Sequence, residues 1–180
     1  MRCIATLTCL AVLSIAFPAR SQNTMPAHHH EAEKMIDGAV NPEKIPDVVA
    51  YRFYLLTIAK SPNVNATDSN AAANETVRLA SHRNMIGLQT SDLQNLAIMA
   101  DNFGYQYHHL ISSYNQVATE NWKKGERTDI RPLLLQRDEL VQSTVKLLKN
   151  SLTADGWSRL NAHVQGEKIH MKISAQEAGQ

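Results

Sequence analysis

The most regular pattern in the chain is a run of apolar residues that recur alternately every three or four positions. Its members are Leu93, Leu96, Ala100, Phe103, Tyr107, Leu110, Tyr114 and Val117. This spacing puts the side chains on one face of an α-helix, where they can pack against a neighbouring helix. Ser91 and Gln94 form a capping-box pattern before the run, and Gly125 follows it. The sequence therefore predicts one long helix between these signals.

Four more segments carry helical signals, and none shows the strict alternation of apolar and polar residues that marks a β-strand. These segments cover about 46–60, 71–85, 129–151 and 157–173. Pro46 at a first turn and Thr153 as an N-cap residue give two of them a defined start. Long amphipathic helices joined by short loops predict an all-α fold, an up-and-down helical bundle of four to five helices.

The first residues have a different character. Arg2 is followed by an apolar run from Cys3 to Phe17 and then by small residues before Gln22. The run is shorter than the roughly 20 residues that a spanning helix needs, and this layout is typical of a secretory signal peptide. We therefore predict a signal peptide over 1–21, cleaved after Ser21, and a periplasmic or secreted protein. A buried N-terminal helix or an uncleaved anchor is the alternative.

Composition divides the rest of the chain into three parts. We predict an extended N-terminal segment over 22–43, a helical bundle domain over 44–175 and a flexible tail over 176–180. The extended segment contains three consecutive histidines, His28–His30, which we expect to be solvated; capture of a metal is the alternative. Both cysteines lie within the predicted signal peptide, so the exported chain has no thiol for a disulfide or a metal. After cleavage, no apolar run is long enough to span a membrane.

The charge of the chain is close to neutral. Lys plus Arg number 18 and Asp plus Glu number 17; loss of Arg2 and Arg20 with the signal peptide leaves 16 cations, so the formal charge changes from +1 to −1. A nearly neutral surface gives no electrostatic case for binding nucleic acid or an anionic membrane. The sequence also lacks a Ser-His-Asp order, a Gly-rich phosphate loop and a haem attachment motif.

One stretch, HVQGEKIH, combines three metal-ligand types at helical spacing. His163, Glu167 and His170 stand at positions i, i+4 and i+7, which share one face of a continuous helix. The last two also match the Glu-x-x-His element of di-iron bundles, but those proteins need the element twice and the predicted bundle has it once. A divalent metal on these three residues is one hypothesis. Our expectation is that the exported protein carries no transition metal.

Two charged residues interrupt apolar helix faces. Arg52 lies in the middle of the apolar face of the first predicted helix, and Asp138 interrupts the stripe of the helix over 129–151. A covered ion must be paired, because an isolated one costs several kcal/mol. The sequence therefore predicts a buried polar network of Arg52, Asp138 and Glu167, in which Arg52 pairs with Glu167 or Asp138. A metal or catalytic site in the core is the alternative.

Two segments together carry a resemblance to other proteins. They are IDGAVNPEKIPDVVAYRFY (36–54) and HVQGEKIHMKI (163–173). The chain resembles a group of uncharacterised secreted bacterial helical proteins that share the opening IDGxxNPExIPDxxAYR, and the resemblance covers most of the exported chain. It implies a location and no chemistry.

These patterns together favour an exported, non-enzymatic helical protein. We expect it to bind an unknown protein or small-molecule partner or to serve as a scaffold, and to hold no cofactor. The alternative is a metal-binding protein or an enzyme that uses the His/Glu cluster of the last helix.

Overall fold

Five helices and one small sheet make up the part of the chain that the computed structural model describes, residues 35–59, 79–175 and 177–178. The helices are α1 (Asp47–Ile58), α2 (residues 79–86), α3 (Thr90–Lys123), α4 (Arg131–Ser151) and α5 (Ala154–Glu167). This arrangement confirms the predicted all-α bundle. None of the described helices is long and apolar enough to cross a membrane. The predicted signal peptide, His28–His30 and the start of the second predicted helix lie outside the described residues.

Helix α1 lies in the middle of the bundle, in contact with α3, α4 and α5. Its buried residues are Val49, Ala50, Tyr51, Arg52, Tyr54, Leu55 and Ile58. A helix that is covered on most sides has to be apolar nearly all round, without one polar face. Arg52 is the charged exception. Helix α1 therefore carries a guanidinium group into the interior.

Helix α3 packs against both α4 and α1, and it is much longer than α1. At a rise of about 1.5 Å per residue, the 34 residues of α3 span about 51 Å and the 12 residues of α1 span about 18 Å. Ala59, just after α1, meets α3 at Gly104. The predicted seam is buried up to Phe103, whereas Val117 is exposed. The seam is half-buried at Tyr107, Leu110 and Tyr114, so the prediction is right for the first half of α3 and wrong at Val117, which lies beyond the contact of Ala59 with Gly104.

A two-stranded antiparallel sheet joins distant parts of the described chain. Strand β1 (Met35–Asp37) pairs with strand β2 (Lys172–Ser174), so that Ile36 lies opposite Ile173. These two isoleucines form a small core cluster with Ile45 and Val49, apart from the main core. The sheet therefore fixes the segment before α1 to the segment after α5.

The predicted last helix, over 157–173, is too long at one end and too short at the other. Helix α5 begins at Ala154 and ends at Glu167, and a 3-10 turn (Lys168–His170) leads into β2. The backbone of this segment pairs with β1 and cannot remain helical. The Gly38 amide donates a hydrogen bond to the Met171 carbonyl at 2.8 Å, which extends the pairing by one residue.

The connection between α4 and α5 is held by the first turn of α3. The capping box predicted from Ser91 and Gln94 is wrong, because the N-cap residue of α3 is Gln89, two residues before Ser91, and no side chain caps the helix. Instead, the Asp92 carboxylate accepts hydrogen bonds from the Thr153 amide at 2.9 Å and the Thr153 hydroxyl at 2.6 Å. The Thr153 hydroxyl in turn accepts one from the Gly156 amide at 3.0 Å. Thr153 is therefore confirmed as the N-cap residue of α5.

Candidate functional site

The structure separates the three residues of the predicted metal cluster. His163 and Glu167 lie on α5, but the helix ends at Glu167, and His170 lies exposed in the 3-10 turn. The His163 ring packs edge-on against Tyr54, with 5.4 Å between ring centroids. In the described part of the chain, no three His, Cys, Asp or Glu side chains form a group that could hold a metal ion. The expectation that the protein holds no cofactor stays a prediction.

Arg52 is buried in the bundle, as the sequence predicts, with only 2% of its surface exposed. Its partner is Glu177, whose Oε1 lies 2.5 Å from Arg52 Nη2. The predicted pairing with Glu167 or Asp138 is wrong, because the turn after β2 carries Glu177 onto α1. Ser174 holds that turn, since its hydroxyl accepts a hydrogen bond from the Glu177 amide at 3.2 Å.

A second buried arginine, Arg137 of α4, faces the same carboxylate. Its Nη1 lies 3.7 Å from Glu177 Oε1, and its Nε donates to Asp138 Oδ1 at 2.9 Å. The observed network is therefore Arg52, Arg137, Glu177 and Asp138, without Glu167. Two cations and two carboxylates balance its formal charge. Glu177 belongs to the segment predicted as a flexible tail, and sequence periodicity carries no signal for it or for Arg137.

An open cavity of about 370 Å³ lies beside this network. Arg137, Asp138 and Glu177 form part of its wall, and Arg131 of the first turn of α4 also lines it. The rest of the lining is mostly apolar and consists of Pro46, Val48, Leu134, Leu135 and Ala178. The cavity thus combines apolar and charged side chains in its lining.

A second open cavity, of about 410 Å³, lies further along α4. Its aromatic wall consists of Tyr51 and Trp157, whose rings are parallel within 3° and 6.0 Å apart between centroids. The Tyr51 hydroxyl donates to Asn161 Oδ1 at 2.8 Å. Burial raises the pKa of Tyr51 above its ordinary value, and the carboxylate of Asp47 adds to the shift. The hydroxyl therefore remains a hydrogen-bond donor at neutral pH.

The two cavities are neighbours along one groove. Val48 of α1 lines both of them, and one face of α4 continues from the first cavity into the second. The α4 residues of that face are Arg131, Leu134, Asp138, Val141, Val145 and Lys149. At 1.5 Å per residue, this face is about 27 Å long. We call this surface the α4 groove: the two cavities together, with their apolar floor and their charged edges.

The edges of the α4 groove carry cations at both ends. Arg131 and Arg137 line one end together with Asp138 and Glu177, and Lys146 and Lys149 line the other end together with Asp47. The two lysines are exposed, whereas Arg137 is buried. Both cavity volumes fall within the range of about 300–1,000 Å³ that is typical of small-molecule sites.

Comparison with protein-family models, with curated protein sequences and with solved structures gives no match to this chain.

Proposed function

We propose that the protein is an exported, non-enzymatic binding protein that holds an elongated amphipathic organic anion in the α4 groove. The ligand class is a molecule with an apolar chain or ring system and one carboxylate. The observation that carries the proposal is that apolar residues of α1 and α4 line two neighbouring cavities, each of which also carries cationic side chains.

The chemistry of the groove favours this ligand class over a wholly polar one. Val48, Val141 and Val145 supply an apolar floor, and removal of a hydrocarbon chain from water onto such a surface is favourable by about 25 cal/mol per Å². Tyr51 and Trp157 add a flat aromatic wall. A carboxylate at either end of the ligand meets a guanidinium or an ammonium group, which supplies orientation and preference for negative charge.

Binding of decanoate tests the proposal, because the groove contains a natural reporter. The chain has two tryptophans; Trp122 is 79% exposed at the end of α3, and Trp157 lines the groove. A Trp122→Phe variant therefore reports on the groove alone. We expect its Trp157 fluorescence to change saturably on titration with decanoate.

A matched pair of substitutions locates the binding site. Val145→Glu places a negative charge on the groove floor and should weaken decanoate binding by about tenfold or more. Leu147→Glu makes a similar change on the same helix, at an exposed residue that does not line the groove. It should leave binding unchanged. Equal affinity of the two variants, or the absence of a saturable change in Trp122→Phe, would contradict the proposed function.

Export is part of the proposal and rests on the sequence pattern of residues 1–21. We expect the native protein, purified from its own cells, to begin at Gln22 and to be found outside the cytoplasm. Intact-mass measurement of the native protein, with fractionation of the cells, checks this. A native mass that includes Met1–Ser21 would contradict it.

A further inference from the structure

Glu177 occupies a position that an external carboxylate could take. Its carboxylate lies between the guanidinium groups of Arg52 and Arg137, which come from two different helices. It also lines the α4 groove at the cavity wall, whereas Arg52 does not. Its side chain is 36% exposed, and that of Arg52 is 2% exposed. Glu177 therefore stands between the groove and a buried cation.

The buried guanidinium is incompletely satisfied. Only Nη2 of Arg52 donates to Glu177, and Nη1 is buried without a hydrogen-bond partner among the described residues. A guanidinium has a planar set of donors that can hold a carboxylate through two parallel hydrogen bonds. Arg137 approaches Glu177 only to 3.7 Å, beyond ordinary hydrogen-bond distance. The pair of arginines thus has donor capacity that Glu177 does not use.

Among the described residues, two hydrogen bonds to Ser174 and the packing of Ala178 on the small core cluster hold the segment that carries Glu177. The Glu177 amide donates to the Ser174 hydroxyl at 3.2 Å, and the Ala178 amide donates to the Ser174 carbonyl at 3.1 Å. The sheet formed by β1 and β2 ends at Ser174, before this segment. A change confined to the turn after Ser174 could therefore withdraw Glu177 and leave the sheet intact.

From this geometry we propose that Arg52 and Arg137 form an anion subsite, and that Glu177 is an internal ligand which the carboxylate of a bound monoanion displaces. The inference rests on the proposed function, since it names the end of the α4 groove that receives the carboxylate. Withdrawal of Glu177 leaves two arginines against Asp138, a formal charge of +1. A monocarboxylate restores neutrality, and its two oxygens match the planar guanidinium. Glu177 competes with the ligand and sets its affinity.

Replacement of Glu177 by glutamine tests the competition. In the Trp122→Phe background, Glu177→Gln should tighten decanoate binding on the order of tenfold, because the internal anion is lost while the shape of the side chain is kept. Glu139→Gln makes the same change of charge at an exposed position of α4 outside the groove and should leave the affinity unchanged. Decanol, which lacks the charge, should bind both variants equally.

Hydrogen exchange provides a readout without mutation. Saturating decanoate should speed exchange of the Glu177 and Ala178 amides, since displacement breaks their bonds to Ser174. Exchange at β2 should be unaffected.

The outcomes separate this inference from the proposed function. Tighter binding of decanoate, but not of decanol, by the Glu177→Gln variant supports the displacement. Equal or weaker decanoate binding by that variant, with binding retained in the Trp122→Phe parent, overturns the displacement and leaves the groove function standing. Failure of both proteins to bind decanoate overturns the groove function and the displacement together.

Discussion

Replacement of Gly38 by alanine should destabilise the folded protein by about 3 kcal/mol, the upper part of the range for overpacking a closely packed site. A Cβ atom at this position would stand 1.9 Å from the Lys168 carbonyl oxygen and 2.9 Å from the Met171 carbonyl oxygen. Both neighbours are backbone atoms, so no side-chain rotation can relieve the contact. The hydrogen bond from the Gly38 amide to Met171 should be lost as the two segments separate.

Equilibrium urea unfolding followed by circular dichroism measures this loss. Gly166→Ala is the matched control, because Gly166 lies in α5 and a Cβ there meets nothing within 4 Å. It should raise the free energy of unfolding by up to about 1 kcal/mol, through the better helix propensity of alanine. A loss of less than about 1 kcal/mol for Gly38→Ala would show that the segments around β1 and β2 can part at little cost.

The same contact explains why the end of α5 could not be read from the sequence. Apolar residues continue through Val164 to Ile173, and a pattern this short suits either a helix or a strand. This segment forms a strand because it pairs with β1, which lies more than 130 residues earlier in the chain. Because the helix stops at Glu167, His170 leaves the face that His163 occupies. The predicted three-residue metal cluster depended on a helical continuity that tertiary pairing removes.

Helical features that depend only on neighbouring residues were easier to predict than the end of α5. The apolar spacing of α3 and the cap at Thr153 required only neighbouring residues, and both identify helices in the structure. The covered extent of α3 was not predictable in the same way, because it depends on the helices that pack against it, α1 and α4. Sequence periodicity predicts which face of a helix can be buried. The length and position of the packing partner determine how much of that face is buried.

The interior position of Arg52 followed from its place on an apolar face, but its partner did not. Glu177 lies in a short polar segment without helical or strand periodicity, and it reaches Arg52 only because β2 and the Ser174 turn carry it there. The burial of Arg137 was not predictable either. The apolar stripe of the predicted helix indicated Asp138 as an inward-facing residue, and the same pattern put its neighbour Arg137 on the solvent-facing side. Ion pairs between distant segments carry no local signature, so the α4 groove and its anion subsite could be recognised only from the fold.

The second large effect concerns Asp92, which is 1% exposed and has no basic side chain among its hydrogen-bond donors in the described structure. Its charge is stabilised by two helix ends. Asp92 lies in the first turn of α3, and through Thr153 it faces the first turn of α5, where the Gly156 amide donates to the Thr153 hydroxyl. Unsatisfied amides make the start of a helix partially positive, which stabilises a carboxylate there. The Asp92 carboxylate thus holds the first turn of α3 against the segment that joins α4 and α5.

Asp92→Ala should therefore lower the free energy of unfolding by about 3 kcal/mol, since it removes two charge-assisted hydrogen bonds, each worth roughly 1.5–3 kcal/mol, and Thr153 regains part of this from water. Asp155→Ala removes an acidic residue from the first turn of α5 as well, but Asp155 is exposed and, within the part of the chain that the structure describes, pairs with Arg159 alone. The Asp155→Ala substitution should change the free energy of unfolding little. A loss as large as that of Asp92→Ala would mean that any acidic residue near the start of α5 stabilises the fold to the same extent.

A double-mutant cycle with Gly156 separates the buried contact from a general effect on the loop. A Cβ atom at Gly156 would stand 2.0 Å from Asp92 Oδ2 and 2.7 Å from its Cγ. Gly156→Ala should therefore destabilise the wild-type protein by about 1–3 kcal/mol, as overpacking does. In the Asp92→Ala background the carboxylate is absent, so the same substitution should cost much less, with a coupling of at least 1 kcal/mol. Urea unfolding of the four proteins gives this coupling. Additive losses would show that Asp92 and Gly156 are not in direct contact, and that the carboxylate does not hold α5 against α3.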